Sequence, residues 1–265
     1  MSVYRKKNRP SKKMGVYILP NLFTTCALFA GFYAIIAAMN HQFSTAAIAI
    51  NIAVLFDGFD GRIARLINAQ SDFGGEYDSL ADMVSFGLCP ALVFYNWTLT
   101  HLQGIGLGKV AWISAFIYTA ATALRLAKFN TLTIVPVIKG KHYFFGLPCP
   151  IAAALVANLI WVGHNHHLPM SKPWFAISMT ILLISIAVLM LSNIPYRSFK
   201  DIDLKNSVRF LAFIVVLLVL MGVAMWPAEL LLLIIVSYVL YGPVWALYRW
   251  FKKRSRKNKA HKHDE

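Results

Sequence analysis

The sequence predicts an all-α bundle of membrane-spanning helices, and three observations carry that prediction. Hydrophobic residues make up 58% of the 265 positions and charged residues only 14%, where an ordinary soluble domain carries about 25% charge. Eight apolar runs cover roughly 17–39, 43–66, 79–100, 109–129, 147–164, 173–192, 208–226 and 228–250, and about 20 such residues suffice to cross a bilayer. Lys and Arg gather at both chain ends rather than along one face.

The first run follows a basic segment, 1–16, that holds Arg5, Lys6, Lys7, Arg9, Lys12 and Lys13. Basic-then-apolar order imitates a signal peptide. The run is longer than a signal h-region and lacks a clear small-x-small cleavage site, so a retained span is expected. The second and third runs flank an inner loop, 67–77, in the most acidic part of the chain. The fifth follows Gly146-Leu-Pro148-Cys-Pro150, a rigid lead into a helix. The seventh and eighth nearly meet at Trp226-Pro227, which suits a tight turn. After about Arg254 a basic tail, with Lys257, Lys259 and Lys262, reads as disordered.

An even number of spans puts both ends on one side, and positive charge marks that side as cytoplasmic. Only Lys109 and Lys172 then fall outside. The net charge of +15 flanks apolar spans, where anionic headgroups attract Lys and Arg, so nucleic acid is not an expected partner. Cys26, Cys89 and Cys149 lie in or beside spans without metal-type spacing and read as buried small hydrophobes. His164, His166 and His167 sit on the outer side with no acid or thiol to complete a metal set, and read as a solvated loop.

Six of the eleven acidic residues fall between Asp57 and Asp82. Carboxylates near membrane depth usually persist as paired, metal-bound or functional groups. At about 100° per helical residue, Asp57, Asp60, Gly61, Ala64 and Arg65 share one helix face. Asp78 and Asp82 stack on a face of the next helix. Two such helices joined by a short loop aim four carboxylates at one point. With no His or Cys among them, the donor set is hard and all-oxygen, which suits Mg²⁺ or Mn²⁺ and argues against zinc. Mg²⁺ commonly shares its shell with substrate phosphates, so a phosphorylated substrate is expected. Gly61 and Ala64 leave room for a flat nucleotide, and Arg65 offers a fork suited to phosphate.

The spacing D-x-x-D-G-x-x-A-R-x8-G-x3-D-x3-D resembles the signature of the CDP-alcohol phosphatidyltransferases, with Asp57, Asp60, Gly61, Ala64, Arg65, Gly74, Asp78 and Asp82 at its fixed positions. The resemblance implies a six-helix membrane core, a homodimer and a site at the cytoplasmic interface. It implies two divalent cations, one on Asp57, Asp60 and Asp78 and one on Asp57, Asp78 and Asp82, with Asp82 also the general base. Pro20-Asn21-Leu-Phe-Thr24 resembles a family element at the nucleotide, so Asn21 and Thr24 become candidate CDP ligands beside Gly61, Ala64, Arg65, Ser71 and Gly74. A helix start at Pro20 capped by Asn21, and a plain turn serine at Ser71, are the alternatives.

Further stretches resemble the branch of that family that uses L-serine as the acceptor: Ala30-Gly-Phe-Tyr-Ala-Ile35, Arg125-Leu-Ala-Lys128-Phe-Asn130, Phe145-Gly-Leu-Pro-Cys-Pro150 and Ser192-Asn-Ile-Pro-Tyr-Arg-Ser-Phe-Lys200. Serine brings a carboxylate that needs a cation near Asp82. Arg125 lies one turn inside its span and is the preferred ligand, with Asn130 and Lys141 as weaker candidates. An interfacial cation that snorkels to the headgroups is the alternative for Arg125.

The expectation is thus a basic segment 1–16, a catalytic core 17–200, two additional helices 201–250 and a basic tail 251–265. The chain would sit in a bacterial inner membrane, with both termini and the site cytoplasmic, acting on CDP-diacylglycerol and L-serine. Glycerol 3-phosphate, inositol phosphate or choline as the acceptor, and a divalent-cation transporter, are the rival readings.

Overall fold

The computed structural model describes residues 18–67, 71–102, 108–132, 143–169, 172–197, 217 and 221–261. Within them the chain is an all-α bundle: α1 (Ile18–Met39), α2 (Phe43–Leu66), α3 (Asp72–Asp82), α4 (Cys89–Leu102), α5 (Gly108–Leu132), α6 (Cys149–Asn165), α7 (Pro173–Leu191) and α8 (Pro227–His261). A π-helical stretch, Met83–Leu88, joins α3 to α4 without a break. Two three-residue strands, β1 (Tyr143–Phe145) and β2 (Pro195–Arg197), pair antiparallel with Phe144 opposite Tyr196. Five helices are long and apolar enough to cross a membrane, and α6 is a shorter apolar one. The protein is multi-pass.

Six of the eight expected runs coincide with described helices to within a few residues at their apolar limits. The run at 208–226 lies largely outside the described residues. The third helix differs: it begins at Asp72, not at 79. Its first turn is polar, so hydropathy misses it. Ser71 nucleates it by accepting a hydrogen bond from the Gly74 N–H at 3.0 Å. The last helix also runs longer than composition predicts, reaching His261 beyond Arg254. Its Lys and Arg residues are good helix formers and simply continue the turn.

Small residues set the packing. Ala30, Ala34, Ala37 and Ala38 of α1 are buried against Ala46, Ala49 and Ala53 of α2, which lets two membrane helices approach closely. Helix α6 has no polar side: Ala152 to Asn158 are buried in succession, as in a helix surrounded by neighbours. Around it lie α2, α4, α7 and α8. Side chains such as Phe29, Phe116, Leu124 and Val188 point outward, where lipid replaces water as solvent.

Contacts sort by end of the bundle. At one end Ser44 donates to Asn165 at 3.1 Å, and His166 meets Glu229 at 2.8 Å. At the other, Lys128 donates to Asn193 at 3.0 Å and Asn130 to Ser79 at 3.0 Å. The strand pair closes this second end. Gly146 follows β1 with φ +77°, where a Cβ would strike the Met190 carbonyl. Gly146, Pro148 and Pro150 thus deliver the chain into α6 along a fixed path.

Helix α8 is docked at this end partly through Tyr196. Pro243 interrupts it and has no N–H for the Val239 carbonyl one turn back. The Tyr196 hydroxyl donates to that carbonyl at 3.2 Å, restoring the lost partner as buried backbone in a membrane requires. Gly242 makes the space, because a Cβ there would strike the Tyr196 ring.

Candidate active site

Asp57 and Asp60 lie one turn apart near the end of α2, and Asp78 and Asp82 one turn apart on α3. The two helices bring these pairs close to one another. One carboxylate oxygen from each of Asp57, Asp60 and Asp78 lies within 4.8 Å of the others. Asp82, one turn past Asp78, lies within electrostatic reach of Asp57, Asp78 and Asp60. Thr24 of α1 donates to Asp60 Oδ2 at 2.9 Å, and both are buried. Three of the four aspartates thus converge on one point, and Asp82 stands next to them on α3.

Such a cluster is costly by itself. At 4.8 Å two carboxylates repel by about 3 kcal/mol at an effective dielectric of about 20. Among the described side chains the ion pair found is His166 with Glu229, at the opposite end, so it does not neutralise the cluster. Asp78 Oδ1 is buried with no hydrogen-bond partner. Oxygen-only donors, mutual repulsion and an unused buried oxygen all fit a hard divalent cation.

Around the carboxylates the surface is built for approach. A Cβ on Gly61 would meet nothing within 4 Å, so that face of α2 is open. A Cβ on Gly74 would lie 3.0 Å from Ser71 Oγ and 3.3 Å from Asn21 Oδ1, which groups Asn21, Ser71 and Gly74 at one corner. Ser71 is at the same time the cap of α3, as its alternative reading had it. Thr25 and Tyr77 share a hydrogen bond of 2.9 Å beside them. From Thr25 and Phe56 an apolar groove of about 560 Å³ runs between α1 and α2 towards Tyr33 and Thr45.

A model of the CDP-alcohol phosphatidyltransferases matches residues 17–240, a span that takes in all four aspartates and reaches into α8. The chain belongs to this family. It is similar to a CDP-diacylglycerol–serine O-phosphatidyltransferase of Helicobacter pylori, 34% identical over 92% of this chain and 98% of that one. An enzyme of the same name from Mycobacterium tuberculosis is 29% identical over 89% and 81%. An archaetidylserine synthase of Methanothermobacter thermautotrophicus is 30% identical over 70% and 72%.

In this CDP-alcohol phosphatidyltransferase the acceptor candidates part company. Arg125 donates from Nη1 to Cys149 Sγ at 3.3 Å, and its Nε is buried without a partner. Cys149 in turn lies within electrostatic reach of Asp82 and Asp57, so Arg125 and the cluster share Cys149 as a neighbour. Asn130 instead bonds Ser79, the residue after Asp78. The side chains of Ala64 and Arg65, and all of Lys141, lie outside the described residues. Sequence reasoning treated Cys149 only as a buried hydrophobe. It is buried, but it is also an acceptor for Arg125. No pattern signalled that role, because it depends on α5 and α6 meeting. Tyr77 and Tyr238 were missed as well, although the Gly242-Pro243 doublet inside an apolar run marked a special point in α8.

Proposed function

We propose that the protein transfers the phosphatidyl group of CDP-diacylglycerol to the hydroxyl of L-serine, giving phosphatidylserine and CMP. The observation that carries this reading is the convergence of Asp57, Asp60 and Asp78, with Asp82 against Asp57, in a chain of this family. The relatives' names support the acceptor. Their lipid part changes between diacylglycerol and archaetidyl, and serine does not.

Asp57, Asp60 and Asp78 would hold one divalent cation, and Asp57, Asp78 and Asp82 a second. When bound, Mg²⁺ or Mn²⁺ supplies positive charge against the pyrophosphate and the leaving oxygen. Asp82 takes the proton from the serine hydroxyl. The hydroxyl oxygen then bonds to the diacylglycerol-linked phosphorus, the bond from that phosphorus to the CMP oxygen breaks, and CMP leaves with the electron pair. Asn21, Thr24, Gly61, Ala64, Arg65, Ser71 and Gly74 surround the CDP moiety. Gly61 admits it to the open face of α2. Arg125 binds the serine carboxylate, with Asn130 and Lys141 as further contacts. The acyl chains stay in the bilayer, and the groove that starts at Phe56 and Thr25 gives one of them a path away from the aspartates. Positive charge at both ends of the chain supports a bacterial inner membrane with termini and site facing the cytoplasm, and the family pattern supports a homodimer.

CMP release from CDP-diacylglycerol, measured with each alcohol in turn, tests the proposal. Serine should stimulate release well above glycerol 3-phosphate, inositol phosphate and choline. Release that is as fast without serine as with it would overturn the acceptor.

A further inference from the structure

Helix α8 has no part in the chemistry just described, yet it is fixed beside the acceptor side of the site. The Tyr196 ring fills the space left by Gly242, and its hydroxyl holds the Val239 carbonyl freed by Pro243. That contact sets both the depth and the rotation of α8. It leaves Tyr238, the preceding residue, with its ring 5.7 Å from that of Tyr196. Tyr238 stands within electrostatic reach of the Arg125 guanidinium. From α6, Cys149 accepts from Arg125 Nη1 at 3.3 Å. Helix α6 thus touches the Arg125 guanidinium of α5, and α8 brings Tyr238 within its field.

The guanidinium in this bracket is not saturated. Arg carries five N–H donors, and its Nε is buried and unpartnered. A half-buried cation with an unfilled donor is a poor resting state unless an anion completes it. A thiol is a weak acceptor that directs the guanidinium without satisfying it. A carboxylate in the Cys149 position would neutralise the charge instead.

We propose that Cys149 and Tyr238 position the Arg125 guanidinium for the carboxylate of the acceptor, which makes α8 part of the acceptor site. The inference rests on the reading of Arg125 as the serine ligand.

Steady-state kinetics of the full-length protein in lipid–detergent micelles test it, with serine and CDP-diacylglycerol varied separately. Cys149→Ala should raise KM for serine about tenfold, the scale of one lost hydrogen bond to a charged group, and Tyr238→Phe should raise it in the same direction by at least about twofold. KM for CDP-diacylglycerol should stay within about twofold, since the CDP side is untouched. Cys149→Ser keeps an acceptor of similar size and should recover the serine KM. Tyr238→Phe keeps the ring against Tyr196, so a purely structural role for that ring predicts no change. If Arg125→Ala raises the serine KM while Cys149→Ala and Tyr238→Phe do not, the bracket is wrong and the Arg125 assignment stands. If Arg125→Ala itself leaves the serine KM unmoved, the acceptor assignment falls and the bracket with it.

Discussion

Asp60 is the buried member of the acidic cluster, and Thr24 is what it bonds. Thr24→Val removes that donor and leaves a buried carboxylate oxygen short of a partner, at a cost of about 1–3 kcal/mol. The purified variant should melt earlier than wild type, and added Mn²⁺ should recover part of the difference. Asp82 tests chemistry rather than packing. Asp82→Asn keeps the shape but cannot accept the hydroxyl proton, so serine-dependent turnover should fall by about 10²–10⁴-fold. Binding of CDP-diacylglycerol, followed by equilibrium dialysis with labelled nucleotide, should persist. A variant with near-normal turnover would remove Asp82 as the base. The grouping of Asp57, Asp60 and Asp78 was legible in the sequence because helical phase and a short connection bring them together. The Thr24 contact was half legible: its place beside the site followed from the Pro20–Thr24 element, but not its bond to Asp60, since that needs the α1–α2 geometry. Cys149 was legible only as buried, because a thiol's partner comes from another helix.

Among the helices, α2 and α6 are joined by polar rungs seven residues apart. Ser44 donates to Asn165 at 3.1 Å, and Asn158 donates to Asn51 at 3.0 Å. Seven residues are close to two helical turns, so both rungs lie on one seam and fix the register of the two helices. Replacing Asn158 with Leu strands the Asn51 amide, and interhelical bonds of this kind are worth about 0.6 kcal/mol, at most about 1.7. A size-exclusion melting series should register a loss of that order, with a matching loss in Asn51→Leu and little more in the double variant. The π-helical turn is a second device at this scale. Such turns are frequent at functional sites, and this one begins directly after Asp82. Gly31 of α1 lies against it so closely that a Cβ would stand 2.9 Å from Ser85 Cα. Gly31→Ala should therefore lower turnover together with stability, because the backbone must shift beside Asp82. Hydropathy located these helices but could neither pair α2 with α6 nor foresee the π turn, since both are settled by neighbours distant in sequence.

For the molecule as a whole, the apolar runs gave the bundle and most of its helix limits. They failed at Asp72–Asp78, where a polar first turn hides the start of α3, and beyond Arg254, where charged helix formers extend α8. Nor could they show how α8 docks. Tyr196→Phe keeps the ring in the Gly242 space but leaves the Val239 carbonyl without a donor, at about 1–3 kcal/mol in a dry interior. Limited proteolysis should then release α8 from solubilised protein sooner than from wild type, with the fragment ending before residue 227 still folded. The same docking has a consequence for biogenesis. Every carboxylate of the cluster has been synthesised by residue 82, whereas the Arg125 bracket waits for residue 238. The donor half of the site is thus assembled early in insertion and the acceptor half last. A nascent chain stalled before α8 would hold the charged lipid's anchor point without a finished seat for the amino acid.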